Sequence, residues 1–208
     1  MSLTFYYSPM SSATRVHWAL EELGVPYEKV KVDLAAGDQR KPEYLALNPN
    51  GKIPLLVEDG VPIFESLAIL VYLGERFGVE KGLYPALGPQ RAEALKWMAW
   101  AAVTLSEAVG RIIRNASDRF PAEQRNEKAA EQAKKDLLEM WGVIDHALAG
   151  KEYLVGDRFT LADLAVAGFV MISGRFGVDL GSLKNVQAWS ARAMSRPAIG
   201  RVMASYAG

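Results

Sequence analysis

The spacing of apolar residues switches repeatedly between two and about 3.6 over the first 78 residues and stays helical after residue 89. Residues 3 to 7, Leu-Thr-Phe-Tyr-Tyr, form a short β-prone run. From about Thr14 to Leu23 the period turns helical, with Val16, Leu20 and Leu23 recurring on one face. Gly24 and Pro26 stop that helix. Residues 27 to 33 alternate, Val30 and Val32 against Glu28, Lys31 and Asp33, and predict a second strand. A short, weakly patterned helix follows over Pro42 to Leu47. Then come a loop ending in Ile53-Pro54, a short strand, an Asp59-Gly60 turn and another short strand. Ser66 to Phe77 reads as a helix with Leu70, Leu73 and Phe77 on one face and Gly78 as its C-cap. The order is βαβαββα. Consecutive strand–helix–strand units favour a parallel pair, and the hairpin adds antiparallel strands.

Residues 79 to 88 are rich in Gly and Pro and read as a linker. Beyond them the pattern predicts helices over 89–116, with Trp97, Trp100, Leu105 and Val109 on an apolar face, and over 121–149. Thr160-Leu-Ala-Asp163 is a capping-box pattern opening a helix to about Ser173. A last helical region runs from Leu183 to Met203, interrupted at Pro197. The expected organisation is an α/β domain over 1–78, a linker over 79–88 and an all-α domain over 89–208.

Half of the 208 residues are hydrophobic, enough for a substantial core. Acidic and basic residues number 24 each, which argues against nucleic acid as a partner, since phosphate binding needs a net basic face. The longest apolar runs fall far short of a membrane span. No basic segment followed by an apolar stretch opens the chain, so a cytoplasmic location is expected. There are no cysteines, which excludes disulfides, thiolate metal sites and cysteine nucleophiles. His17 and His146 are the only histidines, so no zinc cluster is expected and no metal is called for.

Candidate chemistry concentrates between Asn48 and Ser66. The residue before a proline is held extended, so Ile53 can offer its N–H and C=O to an extended ligand as a strand edge does. Ser66 is a good helix N-cap, and the free N–H groups behind it can hold a carboxylate. Glu65 supplies an anion for an ammonium. An amino-acid head bearing both charges fits Glu65-Ser66.

Tyr7-Ser-Pro9 followed by serines before a helix, Pro42-Glu43, Asn48-Pro49 with Gly51-Lys-Ile-Pro54, Glu65-Ser66, Thr160-Leu-Ala-Asp163, Trp189 and Arg196-Pro197 stand in order along the chain. Together they resemble the glutathione transferase family over essentially its whole length. The resemblance implies a thioredoxin-like N-terminal domain, an all-helical C-terminal domain, a homodimer and a cis Pro54. It implies glutathione as co-substrate. Glu65 then takes the ammonium of the γ-glutamyl head, Ser66 its carboxylate, and Ile53 with Pro54 the cysteinyl backbone. Gln39, Arg40 and Lys52 stand where the glycine carboxylate needs donors, Gln39 in place of a histidine kept by many plant-like members. Three hydroxyls compete as the donor that stabilises the thiolate. Ser12 falls where beta-class members keep a cysteine, Ser11 where zeta-like members keep a serine, and Tyr7 near the tyrosine of other members. Met10, Leu105, Ser106, Val109 and Ile113 are candidates for the pocket of a small hydrophobic electrophile. The implied activity is conjugation of glutathione to that electrophile. A glutathione-dependent isomerase or dehalogenase, and a non-enzymatic interaction module, are the competing readings.

Overall fold

The structure, a computed structural model, describes residues 2–207. Packing divides them into two units: residues up to Ala86 together with those from Arg196 onward, and Leu87–Ser195.

The first unit is built on four strands: β1 (Leu3–Tyr7), β2 (Glu28–Lys31), β3 (Leu55–Glu58) and β4 (Val61–Phe64). They lie in the order β2-β1-β3-β4, with β1 parallel to β2 and antiparallel to β3, and β3 antiparallel to β4. The two-residue period of β1 sets the layers: Leu3, Phe5 and Tyr7 are buried, while Tyr6 faces the opposite side with Val32, Tyr44 and Leu55. Helices α1 (Ala13–Leu23) and α3 (Ser66–Leu73) pack with each other and on the sheet. Helix α2 (Pro42–Leu47) contributes Tyr44 and Leu47 to the cluster on the other face. This is the three-layer thioredoxin-like arrangement expected for βαβαββα.

The helix expected over 66–77 is α-helical only to Leu73. A π-helical turn, Gly74–Gly78, follows. Gly74 is there because a Cβ would come within 2.8 Å of the Tyr84 ring. Helix α10 (Pro197–Ala204) belongs to this unit and packs along α1. Arg196 donates from Nε and Nη2 to both carboxylate oxygens of Glu22, each at 2.7 Å. Arg201 bonds Glu21 at 2.7 Å, and the Tyr206 hydroxyl and His17 Nδ1 share a 3.0 Å hydrogen bond.

The second unit is helical throughout: α4 (Pro89–Trp100), α5 (Ser106–Ala116), α6 (Glu127–Ala147), α7 (Leu161–Ala167), α8 (Val170–Arg175) and α9 (Lys184–Met194), besides shorter turns. The single helix expected over 89–116 is interrupted by a π-helical turn, Ala101–Leu105. The helix expected from Thr160 to about Ser173 breaks at Gly168-Phe169. Trp141 and Trp189 are fully buried, and each finds a partner for its indole N–H, on Ser173 Oγ and Asp163 Oδ1, both at 2.9 Å. Among the described residues no helix is long and apolar enough to cross a membrane, and no group of three or more His, Cys, Asp or Glu could hold a metal ion.

Candidate functional site

The carboxyl end of β1 runs into Ser8-Pro9-Met10-Ser11-Ser12 before α1 begins. Ser11 is committed locally. Its Oγ donates to the Ser8 carbonyl at 2.6 Å and accepts from the Ala13 N–H at 3.2 Å, so it ties the loop and caps the helix. Ser12 is exposed, and its Oγ donates to the Ile53 carbonyl at 3.2 Å. One serine is thus structural while the other points from the start of α1 to the residue before Pro54. Met10, just before them, is 42% exposed with φ 53°, an unusual conformation for a side chain of its size. Tyr7 is buried in an aromatic stack, its ring 5.7 Å from those of both Phe5 and Tyr206.

The Ile53–Pro54 peptide bond is cis. The loop before it is held from α2: the Tyr44 hydroxyl and the Asn48 side-chain amide both donate to the Lys52 carbonyl, at 2.6 and 2.7 Å. Gly51 has φ 56°, and a Cβ there would lie 2.8 Å from Arg40 Nη1 and 3.0 Å from the Gln39 carbonyl. The 39–40 segment therefore packs directly on the 48–52 loop at Gly51, the residue before Lys52. Arg40 and Lys52 are exposed. Gln39 is half-buried, and its Oε1 is buried without a hydrogen-bond partner among the described residues.

Ser66 is not the N-cap of α3. Glu65 holds that position at φ 70°, and Ser66 is the first helical residue. Neither side chain caps the helix. The carboxylate of exposed Glu65 and the hydroxyl of half-buried Ser66 are consequently not used on the helix's own N–H groups. A glutamate at positive φ is a strained conformation, and strain of this kind collects at functional sites. Arg15, one turn into α1, is buried and places Nη2 3.5 Å from Ser66 Oγ. The sequence reading missed it, because Arg15 lies off the apolar face of Val16, Leu20 and Leu23 and a cation there reads as a solvated one.

The helical candidates lie in the second unit. Leu105 and Val109 are buried in its core, Ser106 Oγ donates to the Ala101 carbonyl at 3.3 Å, and Ile113 is half-buried. Arg111 is held by Glu107 and Asp136 at 2.8 and 2.7 Å. Asp163 is fully buried and accepts from the Leu154 N–H, the Thr160 N–H and hydroxyl, and the Trp189 indole. Burial pushes its carboxyl up, against those hydrogen bonds, which favour the ionised form. It closes a helix start and touches no open surface.

Residues 1–75 match the family model of the glutathione S-transferase N-terminal domain, and residues 98–197 that of the C-terminal domain. The chain belongs to the glutathione S-transferase family. It is 34% identical over 195 residues to glutathione S-transferase GstB of Escherichia coli (strain K12), covering 93% of each chain. It is 31% identical over 208 residues to disulfide-bond oxidoreductase YfcG of the same organism, covering 97% of this chain and 94% of that one. Among solved structures, the glutathione transferase URE2P8 from Phanerochaete chrysosporium with oxidized glutathione superposes with a TM-score of 0.90 at 26% identity, over 99% of this chain and 95% of that one. Family membership accounts for the two-part fold.

Proposed function

We propose that the first unit binds glutathione, stabilises its thiolate with the Ser12 hydroxyl and presents it to a small apolar electrophile. The observation that carries this is the 3.2 Å contact of Ser12 Oγ with the Ile53 carbonyl. It puts an exposed hydroxyl at the start of α1 beside the backbone that would pair with the cysteinyl residue. In this reading the cysteinyl N–H takes the Ile53 carbonyl, and the displaced Ser12 proton turns to the sulfur. Ser11, with both a donor and an acceptor bond inside the loop, holds Ser12 in place.

The energy required is modest. Lowering a thiol pKa from about 8.5 by about 2 units takes roughly 3 kcal/mol. One hydrogen bond to an anion supplies about 1.5–3 kcal/mol, and the N-terminus of α1 adds about 0.3–1 kcal/mol. No general base is needed: the thiol proton passes to solvent as the thiolate forms. The thiolate attacks carbon, the C–S bond forms, and the leaving group departs with its electron pair. In an addition to an activated alkene, solvent protonates the resulting carbanion instead. Met10, exposed beside the serines, would face the electrophile. Glu65 would take the ammonium and Ser66 the carboxylate of the γ-glutamyl head. Gln39, Arg40 and Lys52 would serve the glycine end, where the buried Gln39 Oε1 can accept the glycyl N–H.

The test is the ultraviolet thiolate difference band of glutathione bound at neutral pH. The band should vanish in Ser12→Ala and persist in Ser11→Ala and Tyr7→Phe. Loss of the band in one of the latter two instead would name that residue as the donor. Absence of any band in the native chain would favour the interaction module.

A second reading, thiol–disulfide exchange, is favoured by the name of YfcG and by the oxidized glutathione bound to URE2P8. With no cysteine in this chain, the attacking sulfur must be that of glutathione. Its thiolate would attack a disulfide, forming one S–S bond as another breaks and a second thiolate leaves. Steady formation of glutathione disulfide from a mixed disulfide and glutathione, with no conjugation of aryl or alkyl halides, would establish it.

A further inference from the structure

Arg15 is the third residue of α1 and is only 8% exposed. Burying a guanidinium is unfavourable unless its donors are used. Desolvation lowers its pKa to about 10, which leaves it cationic at neutral pH. Its Nη2 reaches Ser66 Oγ, 51 residues away, at 3.5 Å. Arginine can only donate, whereas a serine hydroxyl has one proton and two acceptor sites. Ser66 Oγ must therefore accept from Arg15, and its own proton is left to be given elsewhere. Ser66 is also the first helical residue of α3, where backbone N–H groups have no intrahelical partner. The buried cation and the start of α3 thus meet at Ser66.

We propose that Arg15 is a positioning residue for the γ-glutamyl end of glutathione: it orients the Ser66 hydroxyl as a donor and supplies the buried charge that selects the α-carboxylate. The inference rests on the glutathione reading given above. It predicts discrimination, which a purely structural role does not. Loss of packing around α1 would weaken all ligands together; loss of positioning would weaken only those that carry the α-carboxylate.

The experiment measures affinity by calorimetry for S-methylglutathione and for its analogue with γ-aminobutyryl in place of γ-glutamyl, which lacks that carboxylate. S-methylation removes the thiolate from the comparison. The native chain should prefer S-methylglutathione at least about tenfold. Arg15→Gln should reduce that ratio about tenfold and leave the affinity for the analogue within about twofold. Arg15→Lys, which keeps the charge but not the fork, should reduce the ratio about threefold. An unchanged ratio in folded Arg15→Gln overturns the inference; if that variant does not fold, an unchanged ratio in Arg15→Lys does so. Equal affinities of the native chain for the two ligands also overturn it, together with the Ser66–carboxylate contact, while the binding of both leaves glutathione as the ligand. Failure of the native chain to bind either ligand overturns both.

Discussion

Two helix starts in this chain use the same kinds of residue to opposite ends. At α7, Thr160 and Asp163 are buried, and the carboxylate takes four hydrogen bonds at 2.8 to 3.0 Å. At α1, Ser12 is exposed and makes one bond of 3.2 Å to a carbonyl 41 residues away. The start of α3 goes further, with Glu65 at φ 70° and no side chain spent on the helix. A closed start has all its polar capacity consumed and can contribute only stability. An open start keeps unspent donors and acceptors, and that capacity is what a zwitterionic ligand requires. Residue type does not separate the two; burial and bond count do.

The comparison breaks most visibly at Asp163. Asp163→Ala strands the buried N–H groups of Leu154, Thr160 and Trp189 and should cost about 4 kcal/mol in urea unfolding, with glutathione affinity per folded molecule unchanged. Reduced affinity in folded variant would show that the two starts are not separable. A smaller effect comes from His17, on the closed flank of α1. Burial, then Lys29, lowers its pKa to about 4, against an opposing contribution from Glu21. Between about pH 6.5 and about pH 4 the unfolded chain binds a proton that the folded chain does not, so stability is present above that window and falls as pH drops through it. The loss should be on the order of 2 kcal/mol between neutral pH and about pH 4, and His17→Phe should flatten that part of the profile.

At the open starts the expected effects are on binding. Ser66→Ala should weaken glutathione about tenfold; it removes no helix cap, and its cost to stability should be about 1 kcal/mol, from the lost acceptor of Arg15. Glu65→Gly should sharpen the contrast most finely. It relieves the positive φ and should raise stability by about 0.5 kcal/mol while lowering glutathione affinity, since the anion is gone. A variant both less stable and weaker in binding would mean that Glu65 is ordinary helix structure.

Much of this was legible in the sequence where signals are local. The alternation in β1, the Asp59-Gly60 turn and the Thr160–Asp163 box each specify their structure within a few residues. The helix interruptions at 74–78 and 101–105 were not, since the apolar period runs through both and packing decides them, as Gly74 against Tyr84 shows. At the candidate site, Ile53 and the Glu65-Ser66 pair were singled out from their neighbours alone, although Ser66 stands one position inside the helix rather than at its cap. The different bonding of Ser11 and Ser12 was not, because it depends on the Ser8 and Ile53 carbonyls. Arg15 escaped notice for the same reason: one cation in an amphipathic helix ordinarily marks a solvated face, and its burial is set by tertiary packing.

The fastening of residues 196–207 onto α1 has a bearing on synthesis. Glu21, Glu22 and His17 emerge early and meet Arg201, Arg196 and Tyr206 more than 170 residues later. During translation, at about 5–20 residues per second, the buried ring of His17 waits many seconds for its cover, and the whole of 87–195 is made in that interval. The unit that starts first is thus the one finished last, and a ribosome stalled before Arg196 would hold out an α1 with one flank bare.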